Sequence, residues 1–136
     1  MESFVLDTGV KRIAIFETET AEAEGKEPRG IFKFNPTDVT EARKILELQS
    51  TYEQEKEEYI AKEKACVTDL DKFKVLEEFA QKYKDKLDYI YGPTTSKALF
   101  GDSLTYEMFG QFFGMITEKY AEFSKKRVAD KVAELK

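Results

Sequence analysis

The chain has no histidine, no tryptophan, one cysteine and only three prolines in 136 residues. Without histidine it lacks the commonest general base and metal ligand. A serine or cysteine nucleophile would need another base, such as a lysine, and no segment suggests that arrangement. Phosphate-cradling glycine loops are missing as well: neither GxGxxG nor GxxxxGK(S/T) occurs. The single cysteine, Cys66, excludes an intramolecular disulfide framework and fits a reducing compartment; it reads as a small core or boundary residue. A net charge of −5 argues against nucleic acid as a partner, and the one basic cluster, Lys125-Lys126-Arg127, is too small to reverse that. No apolar stretch approaches the roughly 20 residues of a membrane span. Met1-Glu2-Ser3-Phe4 lacks the basic start and apolar run of a signal peptide. These absences predict a cytoplasmic protein with no catalytic residue, cofactor or metal.

What is present is enough to fold. Hydrophobic residues make up 41% and aromatics 13%, and a charged fraction of 36% predicts much exposed helical surface. The length predicts a single domain over residues 1–136, with a β subregion at 1–35 and a helical one at 36–136. Phe4-Val5-Leu6 and Lys11 to Phe16 flank Asp7-Thr8-Gly9 and read as a hairpin. Residues 18–29 are polar and acidic, with Gly25 and Pro28, and read as a mobile loop. Ile31-Phe32-Lys33-Phe34 reads as a third strand with Phe32 and Phe34 on one face. Three short strands need helices packed on them. The predicted fold is therefore α+β and predominantly α-helical: a small antiparallel sheet on a bundle of three to four helices, the last one long.

Helical signals begin at Asn35-Pro36-Thr37-Asp38. Asp38 and Glu41 have capping-box spacing, with Thr37 as a rival cap. Val39, Ala42, Ile45, Leu46, Gln49 and Tyr52 follow with helical period. A second helix is predicted from Thr68 or Asp69, with a stripe of Leu70, Phe73, Leu76, Phe79, Ala80, Tyr83, Leu87, Ile90 and Tyr91. Gly92-Pro93 ends it. Ser96 to Phe100 reads as a short turn or helix stopped by Gly101. Asp102 or Ser103 then caps the final helix, with a core stripe of Leu104, Met108, Phe109, Phe112, Phe113, Ile116, Tyr120 and Phe123. From Ser103 to Lys136 it would run roughly 50 Å, whereas a compact domain of this length is about 35–40 Å across. Part of it must bend, protrude or find a partner.

Carboxylate pairs such as Glu53 with Glu57, or Asp85 with Asp88, have the spacing to share a metal or a proton. They stand among lysines at i+3 and i+4, the pattern of surface ion pairs. Gly110 and Gly114 form a GxxxG that in water marks close helix packing. After Phe123 a new apolar set appears at Val128, Val132 and Leu135, rotated from the core stripe and preceded by Lys125, Lys126 and Arg127. Such a set belongs to a helix curving round its own core, to an arm docking on another molecule, or to a frayed amphipathic tail. These six residues are the candidates for partner binding or self-association.

Four segments carry a family resemblance: Phe32-Lys33-Phe34-Asn35-Pro36-Thr37-Asp38, Asp88-Tyr89-Ile90-Tyr91-Gly92, Leu99-Phe100-Gly101-Asp102 and Met108-Phe109-Gly110-Gln111-Phe112-Phe113. The chain resembles the tail assembly chaperones of long-tailed phages and prophages of Gram-positive bacteria, over about its last hundred residues. None of these motifs is catalytic. The resemblance implies a non-enzymatic protein in the cytoplasm of the bacterial host that binds the tape measure protein, keeps it soluble and helps recruit tail tube subunits. It further implies a mostly helical, self-associating protein, this chain matching the shorter of two products related by a translational frameshift. The alternative within the same class is a structural tail or neck component retained in the virion.

Overall fold

Two strands and five helices make up the computed structural model, which describes residues 1–105 and 107–135. Strand β1 (Lys11–Ile15) pairs antiparallel with β2 (Gly30–Phe34), Ile13 facing Phe32 and Lys11 facing Phe34. Between them lies a short helix, α1 (Glu19–Ala23), whose first turn is capped by the Thr18 hydroxyl accepting from the Ala21 amide at 3.0 Å. The segment expected as an irregular loop thus holds one helical turn. The long elements follow: α2 (Val39–Ala65), α3 (Asp69–Tyr91), the short α4 (Thr95–Phe100) and α5 (Glu107–Glu134). The fold is α+β and predominantly helical, with a long C-terminal helix.

The sheet has two strands, not three. Phe4-Val5-Leu6 forms no strand, and β1 finds its partner in β2 rather than across Asp7-Thr8-Gly9. The cause is local. The Asp7 carboxylate accepts from the Gly9 amide at 2.9 Å, and the Thr8 carbonyl accepts from the Asn35 side-chain amide at 2.6 Å. Gly9 sits at φ +79°, where an added Cβ would stand 2.6 Å from the Thr37 hydroxyl. The turn is thereby tied to the start of α2 instead of folding its leading residues onto β1.

Helix caps sit where the sequence places them. Asp38 caps α2, accepting from the Thr40 and Glu41 amides at 2.9 and 3.1 Å. Glu41 does not reciprocate to Asp38; its carboxylate accepts from the Asn35 amide at 2.8 Å. Thr68 caps α3 through the Asp71 amide. Past Gly92, the Asp88 carboxylate accepts from the Ser96 amide and hydroxyl at 2.7 and 2.8 Å, which pins α4 against α3. On its other side α4 touches β2 at Gly30, where any side chain would meet the Ala98 backbone at 2.7 Å. The Arg29 guanidinium donates to the Leu99 carbonyl, and the buried Lys84 ammonium donates to the Gly101 carbonyl at 3.1 Å. Helix α5 starts at Glu107, later than the predicted cap at Asp102 or Ser103.

Aromatic rings fill the centre. Tyr52 of α2 touches Phe79 and Tyr83 of α3 and Phe109 and Phe113 of α5, with ring centroids 5.1–6.1 Å apart. Phe32 of β2 meets Tyr91 and Phe112 edge-on at 5.0 and 5.6 Å. Each such pair adds about 0.5–1.5 kcal/mol beyond the area it buries. Two predicted stripes are corrected. On α2 the buried residues are Ile45, Leu48 and Tyr52, while Val39 and Leu46 are exposed, because α5 packs along Glu41, Gln49 and Tyr52 and α3 lies beside Leu48 and Tyr52. On α3 Phe73 is 67% exposed, Leu70 is exposed too, and Leu76 is half-buried. Helix α5 enters the core level with Tyr83, and among the described residues no third element covers the first turns of α3.

Truncation separates the two environments. Phe112→Ala should lower stability by about 3–5 kcal/mol in urea unfolding, the range for a buried phenylalanine. Phe73→Ala should stay within about 0.5 kcal/mol of the parent, as for an ordinary surface site. A large loss at Phe73 would mean that its turn of α3 is covered in solution.

Candidate protein-binding site

The polar groups that enter the core are spent on holding elements together. Tyr120 of α5 donates its hydroxyl to Glu41 of α2, and Tyr91 of α3 lies 3.2 Å from the Tyr120 oxygen. A hydroxyl has one proton, so Tyr91 is the donor in that second contact. Burial raises the Glu41 carboxyl above its ordinary range, against the lowering effect of the bonds from Tyr120 and the Asn35 amide. Burial, with the acidic neighbour Glu41 adding to it, likewise holds both tyrosines neutral far above neutral pH. Farther along α2, desolvation of Glu55 is outweighed by bonds from Lys82 and Tyr83, at 2.8 and 3.0 Å, and its carboxyl titrates below the usual range. Desolvation also lowers the Lys84 ammonium, which Asp102 and Asp88 partly offset.

The carboxylate pairs do not converge. Glu53 and Glu57 are exposed on α2; Asp85 accepts from Gln81 at 3.0 Å, while Asp88 serves α4. Among the described residues no group of three or more His, Cys, Asp or Glu is placed to share a metal ion. Cys66 is half-buried at the end of α2, its thiol 3.2 Å from the Lys62 carbonyl. Gly110 and Gly114 face open space, so the GxxxG is not a packing seam within the chain. Among the described residues no helix is long and apolar enough to cross a membrane.

Two uncovered apolar surfaces lie at the ends of the long helices. Phe113 of α5 sits beside Tyr52, Thr117 donates to Gln49 at 2.9 Å, and Tyr120 reaches Glu41, so α5 runs antiparallel to α2 and leaves past its first turn. Its last buried residue is Tyr120; Phe123 is half-buried, and every described residue from Ser124 onward is exposed. Val128, Val132 and Leu135 show 55%, 47% and 87% of their surface, and Lys125, Lys126 and Arg127 are exposed with them. Five of the six predicted residues therefore share an overhang of about 17 Å, from Ser124 to Glu134, and Leu135 follows directly after it. At the opposite end Val67, Leu70 and Phe73 are exposed around the α2–α3 turn.

Beside the root of the overhang a groove of about 340 Å³ opens between α5 and the sheet. Ile13, Phe34, Pro36 and Phe123 give it an apolar floor, and Lys11, Lys119, Glu122 and Lys126 line its edge. Sequence reading missed this groove, because Lys11 and Lys119 meet only after folding. No protein-family model, curated protein or solved structure matches the chain. Its functional reading rests on its own residues.

The buried carboxylate has a pH consequence. Between the ordinary value of 4.5 and its raised folded value, the unfolded chain ionises Glu41 while the folded chain keeps the proton. Stability from this group therefore falls as pH rises through that window. Glu41→Gln retains an acceptor and removes the charge, so its stability relative to the parent should increase between pH 4 and pH 7. Urea unfolding across that range checks it; a constant difference would show that the carboxylate is well solvated.

Proposed function

We propose that this protein is a non-enzymatic tail assembly chaperone that binds a tape measure protein, holds it soluble and helps bring tail tube subunits to it. The exposed end of α5 carries the reading. Val128 and Val132 on α5, and Leu135 directly after it, stand uncovered at helical spacing, while one face of the helix's first half is buried in the core. A helix of this kind has the form of a partner for another amphipathic helix, which supplies an apolar stripe at matching spacing. Between Ser124 and Leu135 four basic side chains face two acidic ones, in a chain of net charge −5. That local reversal of sign favours a partner with acidic residues beside its apolar stripe. The resemblance at the Asn35-Pro36-Thr37-Asp38 entry, the Leu99-Phe100-Gly101-Asp102 connection and the Met108 to Phe113 start of α5 supports a tape measure protein as that partner.

Co-expression tests the reading. A tape measure protein co-expressed with this chain should remain soluble and should precipitate without it. Deleting Val128 to Lys136 should leave the fold within about 1 kcal/mol, since the side chains from Val128 to Leu135 are exposed, yet reduce co-purification at least tenfold. If the deletion unfolds the protein, the segment belongs to the core. Undiminished binding by the folded deletion would remove the arm from the function. Recovery of the protein as a fixed component of purified particles would replace the chaperone by a structural tail or neck component.

A further inference from the structure

The groove between α5 and the sheet has an obvious counterpart in the segment that precedes β1. Phe4, Val5 and Leu6 are 84%, 94% and 76% exposed, an apolar triplet with no cover. Glu2 and Asp7 flank it, and no basic residue occurs from Met1 to Asp7. The groove offers the complement: an apolar floor and an edge with three lysines against one glutamate. We propose that this face is a self-association site, in which the Glu2–Asp7 segment of one copy occupies the groove of a second copy and receives the second copy's segment in return.

The reciprocal form follows from how the segment is anchored. To enter its own groove it would have to reverse at Asp7-Thr8-Gly9. That backbone is fixed by the Asp7 carboxylate on the Gly9 amide and by the Asn35 side chain on the Thr8 carbonyl. Gly9 is also wedged against Thr37. The turn holds the segment outward and leaves the groove open for an equivalent segment from elsewhere. Because every copy carries one segment and one groove, a twofold exchange satisfies both, the self-complementary arrangement of an isologous dimer. The contact lies at the root of the α5 overhang, shares Lys126 with it, and leaves Val128, Val132 and Leu135 uncovered for a partner.

With no tryptophan in the chain, Phe4→Trp reports on the segment alone. Its emission should shift to the blue as protein concentration rises, in step with a change from monomer to dimer in sedimentation. Removing Met1 to Leu6 should abolish the dimer without changing helical content. The double substitution Lys119→Glu and Lys126→Glu should weaken dimerisation at least tenfold, and Glu2→Lys added to it should recover part of the loss. In a Cys66→Ala background, a tagged Leu6→Cys chain mixed with an untagged Glu122→Cys chain should give a disulfide-linked heterodimer. Emission typical of exposed indole at all concentrations would overturn the proposal, as would blue-shifted emission from a species of monomer mass, which places the segment in its own groove. A dimer that survives loss of Met1 to Leu6 would overturn it too.

Discussion

Helices of 27, 23 and 28 residues meet at one aromatic centre that is shorter than any of them. Tyr52 marks its middle, with Phe79 and Tyr83 on one side and Phe109 and Phe113 on the other. Helices about 35–42 Å long cannot all be covered by a core that spans a few turns. Antiparallel packing of α5 on α2 then decides where the excess goes. The early turns of α3, with the end of α2, overhang at one end, and the last turns of α5 overhang at the other. Exposed apolar groups at both ends are a consequence of that offset, and extended apolar patches are the kind of surface that partners cover.

The offset also explains which parts of the fold were legible. Caps and stops depend on neighbours within a few residues, so Asp38, Thr68, Gly92 and Gly101 could be read directly. Periodicity shows that a helix has an apolar side, but not how far along it the cover extends. Phe73 fits its stripe and is exposed, because the third helix stops short of it. On α2 the stripe read from the sequence included Leu46 and passed over Leu48, and the placement of the neighbouring helices buries Leu48 instead. Strand propensity in Phe4-Val5-Leu6 was real and still misleading, since hydrogen bonds from the distant Asn35 and Thr37 hold the turn that follows it.

The candidate surfaces divide in the same way. The change of stripe after Phe123 is a local pattern, and it located the overhang of α5 from the sequence. Its root is a tertiary feature. Lys11 and Ile13 come from the sheet, and Lys119, Phe123 and Lys126 from a helix more than a hundred residues later. The Glu41, Tyr120 and Tyr91 cluster is equally hidden in one dimension. Glu41 looked like half of a capping box and serves instead as the acceptor that fixes where α5 crosses α2.

That crossing bears on how the protein could bind without losing its fold. Tyr120 is the last fully covered residue of α5, and its hydroxyl is held by a carboxylate rooted in the first turn of α2. Leaving a half-buried carboxyl acceptor without its partner costs about 1–3 kcal/mol. The bond therefore opposes peeling of α5 from the core at the position where the free segment begins. Beyond Phe123 every described residue of the helix is exposed, so docking on a partner there need break nothing in the core. A helix already formed and held at its root gives up less conformational entropy on binding than a disordered tail would. The same side chain that closes the core thus sets the boundary of the surface left open for recognition.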